Sequence, residues 1–244
     1  MNKKLSVLLL SGLLLLTAVG CDQQQETPPE QPAQKEEVVV EKPEPVVLDT
    51  YTVNVVKETM TVKVLGDDLD LEIAYPVLGE VEPSPLVDRI NATMLQHFKS
   101  IQQLLAGEAN VVDAKVEISK QNKNFLSFAY RFTTDPSANG TDLYHLVKGV
   151  TLDMQNGAPV DLRTFMMDAK NDPALWALLE EKATAAIATM EKEVVNPFTA
   201  SMVPEAWMND QGLVVSYMDQ DMVELTLAFS EEELIQYFHV DIDQ

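Results

Sequence analysis

The chain has 244 residues, with 17 basic and 39 acidic side chains and a formal charge of −22 at pH 7. So acidic a surface repels nucleic-acid phosphates, which excludes nucleic acid as an expected partner and favours cationic ones. The one cysteine excludes an intramolecular disulfide, so the fold must depend on an ordinary hydrophobic core.

Residues 1–20 have the pattern of a bacterial export signal. Two lysines, Lys3 and Lys4, precede an apolar run of 12 residues, and small residues follow that run. The run is shorter than the roughly 20 apolar residues that a transmembrane helix needs. Cys21 stands where the small residues meet a polar tail, which resembles a lipoprotein signal whose cysteine is acylated, for example with palmitate. An ordinary signal peptide is the alternative.

We therefore predict a lipid-anchored protein on the extracytoplasmic side of the bacterial cell envelope. Cleavage before Cys21 would remove two lysines and no acid, which leaves 15 basic and 39 acidic residues and a formal charge of −24. The segment 21–47 combines the lipidated cysteine with a disordered tether rich in proline, glutamate and glutamine. Such a tether reaches at most about 80 Å in the extended polyproline II conformation.

Residues 48–244 are predicted to form a single domain, with two subdomains that meet near 135–140 as the alternative. Three consecutive runs alternate apolar and polar residues as strands do, and the third follows a turn at Gly66-Asp67-Asp68. The runs cover residues 51–55, 60–64 and 69–73.

Two helices are predicted from their caps and apolar stripes. The first follows Ser84 as N-cap and Pro85 in the first turn, and Gly107 ends it. Its buried stripe recurs every three or four residues. The stripe consists of Ile90, Met94, Phe98, Ile101 and Leu105. The second helix begins at Asp172-Pro173 and ends at Asn196-Pro197.

Five more strands and a short helical turn complete the expected elements. The strands cover residues 111–119, 125–132, 143–154, 213–218 and 223–229, and the turn covers 231–234. The resulting order, β-β-β-α-β-β-β-α-β-β, predicts an α+β fold with mainly antiparallel sheet and two main helices.

No motif with catalytic, cofactor or metal spacing occurs, so we predict none of these sites. The three histidines, His97, His145 and His239, are far apart in sequence and do not form a zinc-binding pair. His97 is interpreted as a packing residue at the edge of the first helix. The three acidic clusters lack calcium-loop spacing and are interpreted as turns or as the first turn of a helix. They are Asp67–Asp70, Asp219–Asp221 and Glu231–Glu233.

Methionine is concentrated near the C-terminus, together with two aromatic residues. This cluster is interpreted as core packing, with an adaptable binding surface as the alternative. Its members are Met202, Met208, Met218 and Met222 with Trp207 and Tyr217.

Several short motifs in order resemble a bacterial extracytoplasmic domain of unknown function. The domain occurs in RsiV-type lysozyme-sensing anti-sigma factors and in the accessory half of PdaC-type peptidoglycan deacetylases. The matching residues are Tyr75-Pro76, Gly79, Ile90-Asn91, Leu126-Ser127, Tyr130, the segment GVTLDMQNGAPVDLRTFM at 149–166, the segment WMNDQGLVVSYM with Gly212 and Tyr217, and Leu234-Ile235. The resemblance covers residues 48–242. Where that family usually has a Gly-Gly-Ala-His-like stretch, this chain has residues 137–145 of different sequence.

The resemblance implies a non-enzymatic binding module of the cell envelope, with lysozyme-like basic proteins as the specific candidate partner. An envelope-assembly scaffold that binds peptidoglycan is one alternative. A glycan hydrolase that uses dispersed acids is another, and it requires a cleft with two carboxylates about 5 to 10 Å apart.

Overall fold

The structure, a computed structural model, describes residues 48, 50–107, 110–135, 145–218 and 222–238. Within them the order of elements is β-β-α-β-β-β-α-α-β-β-β-α. The strands are β1 (Thr52–Val64), β2 (Asp67–Gly79), β3 (Val111–Gln121), β4 (Phe125–Thr134), β5 (His145–Asp153), β6 (Glu205–Asn209), β7 (Gly212–Met218) and β8 (Met222–Ala228). The helices are α1 (Pro85–Gly107), α2 (Leu162–Ala169), α3 (Pro173–Ile187) and α4 (Glu231–Phe238).

The strands pair only with antiparallel neighbours, in the sheets β1-β2, β3-β4-β5 and β6-β7-β8. The predicted α+β class with mainly antiparallel sheet is confirmed. The predicted signal peptide at 1–20, Cys21 and the tether at 21–47 lie outside the described residues, and these stay predictions, as does the domain boundary at 48. Among the helices of the described ranges, none combines the length and the apolar character that crossing a membrane requires.

The first two predicted strands are one continuous strand. β1 pairs with β2 along its whole length, from Thr52 opposite Gly79 to Val64 opposite Asp67. The residues between the two predicted runs contain no turn former, and Lys57 instead forms an ion pair of 2.6 Å with Glu72 across the hairpin. The hairpin turn is Leu65-Gly66, where both residues have positive φ, rather than Gly66-Asp67-Asp68.

Helix α1 confirms the prediction made from its cap and its stripe. The Ser84 hydroxyl accepts a hydrogen bond of 3.2 Å from the Val87 amide, and Pro85 begins the helix. All five predicted stripe residues are buried. Since Phe98 also stacks on Tyr75 of β2 with ring centroids 4.4 Å apart, the stripe holds the β1-β2 hairpin against the helix.

The second predicted helix starts where expected and ends earlier. The Asp172 carboxylate accepts hydrogen bonds from the amides of Ala174 and Leu175, and α3 ends at Ile187 rather than near 196. The residue pattern alone did not predict α2 or β6. Both are short, since α2 has 8 residues and β6 has 5, and short elements leave little periodicity to read.

Strand β4 is buried on both faces and separates two hydrophobic cores. One face carries Leu126, Phe128, Tyr130 and Phe132 into a first core with α1 and the β1-β2 hairpin. The second core contains the sheet β6-β7-β8 with residues of α2, α3 and α4. Because successive side chains of a strand point to opposite faces, the alternate residues Phe125 and Ala129 of β4 face the sheet β6-β7-β8.

The edge strand β6 docks on the face of the sheet β3-β4-β5, where side-chain hydroxyls form hydrogen bonds with its backbone. The buried Met208 amide donates to the Ser127 hydroxyl at 3.0 Å and to the Thr151 hydroxyl at 3.2 Å. The Met208 carbonyl accepts a hydrogen bond of 2.7 Å from the hydroxyl of Ser119. Three hydroxyls, one on each strand, therefore satisfy the backbone N–H and C=O groups of one buried residue of the neighbouring sheet.

Gly149 of β5 makes this docking sterically possible. A Cβ at this position would lie 2.6 Å from Cε3 and 2.7 Å from Cβ of Trp207, and 2.9 Å from the carbonyl oxygen of Ala206. Two of these atoms belong to the backbone or to the first side-chain carbon, so they cannot move without moving β6. The close approach of β5 and β6 thus requires glycine.

We predict that Gly149→Ala destabilises the protein by about 1–3 kcal/mol, because the added methyl group pushes β6 away from its hydrogen bonds. Gly107→Ala is the matched control, because a Cβ there meets nothing within 4 Å. It should leave stability unchanged or raise it by up to about 1 kcal/mol. Urea denaturation measures both, and equal stability of the two variants would contradict the docking model.

Candidate functional site

The methionine cluster predicted from the sequence divides into a buried part and a surface part. Met208 is fully buried in the second core, and Trp207 is buried beside Ala129 and Val147. Met218 is 44% exposed, whereas most large apolar side chains of the described residues are buried or half-buried. The core interpretation therefore fits Met208, Trp207 and Tyr217, and Met202 packs partly buried against the second core. The alternative of a surface fits Met218, which is exposed.

The exposed Met218 and the half-buried Met202 and Met222 line a recess of about 390 Å³, which we call the methionine recess. It is formed by the start of β5, the segment before β6, the end of β7 and the start of β8. Its lining residues are Leu146, Val147, Lys148, Met202, Val203, Pro204, Glu205, Ser216, Tyr217, Met218 and Met222. Apart from one ion pair at the rim the lining is largely apolar, and methionine side chains adapt to partners of different shape.

Internal hydrogen bonds hold the floor of the recess in place. The Tyr217 hydroxyl donates to the carbonyl oxygen of Val195 at 2.5 Å, and the Ser216 hydroxyl donates to the sulfur of Met222 at 3.2 Å. Tyr217 and Ser216 are buried, while Met218 projects from the same strand into solvent. The recess thus combines a rigid floor with an unbranched, flexible wall.

A charged ridge borders the methionine recess on one side. The Glu205 carboxylate accepts hydrogen bonds from Lys148 at 2.7 Å and from Arg163 at 2.9 Å, and both bonds reach the same oxygen. Lys148 and Glu205 are themselves half-buried and line a second depression on the other side of the ridge. The ridge therefore separates a largely apolar recess from a depression with more polar and charged lining residues.

The second depression, the polar cleft, has a volume of about 320 Å³. His97 of α1 lines it together with residues of β5, β6 and the start of α2, including Asp161. Asp161 is the N-cap of α2, where its carboxylate accepts hydrogen bonds from the Thr164 amide and hydroxyl. The two carboxylates that line the cleft are thus an ion-paired side chain, Glu205, and a helix cap.

His97 is half-buried at this cleft, as its interpretation as an edge packing residue predicts. Burial lowers the pKa of His97 below its ordinary value of 6.5, because the charged imidazolium loses solvation there. The side chain is therefore neutral at pH 7. His145 begins β5, and His239 lies outside the described residues.

Two acidic clusters have structural roles in the described part of the chain. Asp68 and Asp70 lie on β2, where they pair with Lys63 and with the Thr61 hydroxyl of β1. Glu231–Glu233 form the first turn of α4 as predicted, and Ser230 and Glu233 form a capping box. The third cluster, at 219–221, lies outside the described residues.

No group of three or more histidine, cysteine or acidic side chains in the described ranges could hold a metal ion. Several residues of the motifs that resemble the extracytoplasmic domain have structural roles in the described part of the chain. Asn91 accepts a hydrogen bond of 2.8 Å from the Leu78 amide, which joins α1 to the end of β2. Ser127 supports the docking of β6, and the Asn209 side chain accepts from the Gly212 amide in the β6-β7 turn.

The segment at 149–166 runs from the end of β5 through a compact turn into α2. The buried Asp153 carboxylate accepts hydrogen bonds from the Gln155 amide and the Asn156 side chain. Gly157 has a φ of 73°, and a Cβ there would lie 3.0 Å from Cγ1 of Ile90. The turn therefore fits closely against α1, and its aspartate and glycine serve the backbone.

Sequence reasoning did not single out the ridge residues Lys148, Arg163 and Glu205. Charged residues make up 23% of the chain, so three of them separated by up to 57 positions carry no local signal. Only the docking of β6 beside β5 brings Lys148 and Glu205 together.

Comparison with known proteins finds similarity at the level of solved structures. No protein-family model and no curated protein matches the sequence. A crystal structure of a DUF3298 family protein from Bacteroides fragilis is 13% identical, with 78% of this chain and 94% of that chain covered and a TM-score of 0.47. A DUF3298 family protein from Pseudomonas aeruginosa is 10% identical, with 76% and 93% covered and a TM-score of 0.37. What this chain resembles among them is a bacterial domain of unknown function.

We predict that acidification destabilises the protein partly through His97. The unfolded chain binds a proton at this histidine below about pH 6.5, whereas the folded protein binds it only at lower pH. The unfolded state therefore holds more protons in that window, and stability falls as the pH decreases through it. Urea denaturation at about pH 7.5 and pH 5.5 should show a larger loss for the parent than for His97→Gln.

The comparison between two pH values cancels any packing change that His97→Gln causes at both. The charged groups that line the same cleft, Lys148, Asp161, Arg163 and Glu205, are present in parent and variant alike. If parent and variant lose the same stability, the histidine is not desolvated in the folded protein.

Proposed function

We propose that this chain is a lipid-anchored, non-enzymatic binding module of the bacterial cell envelope, and that the methionine recess contacts its protein partner. The observation that carries the proposal is the exposure of Met218 beside Met202 and Met222 in one apolar depression. Exposed apolar depressions are typical of sites that other molecules cover, and methionine is frequent at adaptable protein-binding surfaces.

A basic protein of the lysozyme type is the partner that we propose. The net charge of −22 attracts a cationic protein over a distance of about one Debye length and speeds its association. The ridge beside the recess is locally balanced, since two cations neutralise Glu205. The charge therefore favours encounter, and the apolar recess supplies the contact area that slows dissociation.

The state of the carboxylates at the polar cleft supports binding over catalysis. A glycosidase needs one carboxyl group that donates a proton and a second that attacks or activates water. Glu205 is held between Lys148 and Arg163, and Asp161 is occupied by the cap of α2. Both carboxylates are thus already engaged with other groups of this chain.

Lipidation at Cys21 and the proline-rich tether would position this module. Bacterial lipoprotein acylation supplies more than two acyl chains, which suffices for stable membrane attachment. A tether of 21–47 then allows the folded part to meet partners within about 80 Å of the membrane. This geometry suits a partner in the cell wall.

We predict that Met218→Lys weakens binding to a basic muramidase by about tenfold, or about 1.4 kcal/mol. The substitution removes apolar contact area and places a positive charge against a cationic partner. Biolayer interferometry with a panel of basic muramidases, at low and moderate salt, measures the effect.

Met167→Lys is the matched control, because Met167 is 53% exposed on α2 and does not line the recess. Met167→Lys changes the net charge by the same amount as Met218→Lys. It should weaken muramidase binding less than about twofold, because only the screened charge contributes. Equal losses in both variants would remove the recess from the interface. Absence of saturable binding to every muramidase would contradict the lysozyme proposal, and sedimentation with purified sacculi would then identify a peptidoglycan scaffold.

We further predict that Cys21→Ala releases the protein from the membrane fraction. Without the thiol no diacylglyceryl group can be attached, so the chain loses its proposed lipid anchor. Fractionation of cells that express the parent and the variant, followed by mass spectrometry of the N-terminal peptide, tests this. If the parent carries no lipid mass on Cys21, the chain has an ordinary signal peptide instead.

A further inference from the structure

A groove of about 740 Å³ runs between helix α3 and the outer edge of strand β8. One wall is the C-terminal half of α3, with Lys182, Ala185 and Ala186, and the other wall contains Glu224 and Thr226. It shares no lining residue with the methionine recess. The groove is therefore a separate surface of the second core.

Strand β8 is the edge of its sheet, and its backbone groups alternate between β7 and the groove. A Cβ on Gly212 of β7 would lie 2.1 Å from the carbonyl oxygen of Leu227, so this carbonyl faces β7. The next carbonyl, that of Ala228, accepts a hydrogen bond of 2.7 Å from Lys182 of α3, so it faces the groove. Alternation then turns the backbone N–H and C=O groups of Glu224 and Thr226 toward the groove.

These groups of Glu224 and Thr226 have no backbone partner among the described residues. The Lys182 ammonium already occupies the end of the edge at Ala228, which leaves the length from Glu224 to Thr226 open. Small side chains on the helix keep the space beside it free, since Ala185 is exposed and Ala186 only half-buried. An extended chain fits such a space, because adjacent strands lie about 4.8 Å apart.

The two charged residues that line the groove, Lys182 and Glu224, each have an opposite charge beside them, so the acidic character of the surrounding chain decides that a cationic occupant is favoured. Residues 180–193 of α3 and its continuation contain four glutamates and two lysines. Lys182 is engaged with the Ala228 carbonyl and lies 3.6 Å from Glu233, so it does not repel a basic ligand freely. The net charge of −22 acts in the same direction.

We propose that the groove binds an extended, lysine- or arginine-bearing segment of a partner protein, which adds to β8 as a further strand. Backbone hydrogen bonds to Glu224 and Thr226 would supply affinity, and alternate side chains of the segment would face the alanines of α3 and the acidic surroundings. This surface goes beyond the partner-binding role of the methionine recess and does not depend on it.

The test uses a probe peptide of about six residues that alternates valine and lysine, with acetylated and amidated ends. Titration into the full folded chain should shift and protect the amide signals of Glu224 and Thr226 in NMR spectra and hydrogen exchange. A peptide with the same sequence and N-methyl groups on alternate amides should bind about tenfold more weakly, because it cannot complete the strand pairing.

Ala185→Trp fills the groove and should weaken binding of the probe about tenfold. Ala177→Trp is its matched control, because Ala177 is exposed on the same helix and does not line the groove. Both variants keep the recess intact, so muramidase binding should be unchanged in each. If the parent chain does not bind any muramidase, that result contradicts the proposed function. It does not contradict this inference, which is tested with the probe peptide.

Three results would overturn the inference. One is the absence of amide shifts on β8 at saturating peptide, and another is equal binding of Ala185→Trp and Ala177→Trp. The third is protection of the same amides without peptide at rising protein concentration, together with a dimer in sedimentation. That result would assign the edge of β8 to a second copy of this chain.

Discussion

The buried backbone amide and carbonyl of Met208 link the two halves of the described fold. Its amide and carbonyl lie on the outer edge of β6, and hydroxyls of Ser119, Ser127 and Thr151 on the neighbouring sheet satisfy both. An unsatisfied buried amide costs about 1–3 kcal/mol, so these positions need polar side chains in otherwise apolar strands. Gly149 is needed for the opposite reason, since any side chain there would hold the strands apart.

This docking also determines which surfaces remain available. β6 and β8 are the two edge strands of their sheet, and the docking covers β6, so β8 is the edge that stays uncovered within the described residues. The same approach places Lys148 of β5 beside Glu205 of β6, and their ion pair divides the junction into an apolar and a polar depression. The two proposed binding surfaces therefore follow from one packing arrangement, although they share no residue.

The residues that resemble a family motif have structural duties in this molecule. Asp153 and Gly157 shape a turn against α1, Asn91 joins that helix to β2, and Ser127 supports the docking. Of the candidate binding residues, Met218 ends one of these motif segments, whereas the edge of β8 lies outside them.

Local physics in the sequence determined α1, the start of α3 and most strands, but not α2. Caps and periodic stripes predicted α1 and the start of α3, because each signal involves residues within about four positions of one another. The continuity of β1, the short strand β6 and the division of the methionines were decided by tertiary structure. Met208 and Met218 look alike in sequence, and only the docking of β6 buries one, while the position of the other at the end of β7 leaves it exposed. Contacts between strands more than 50 residues apart have no local pattern, so the sequence alone determined the capped and strongly periodic elements, and the tertiary structure decided the rest of the fold and the sites.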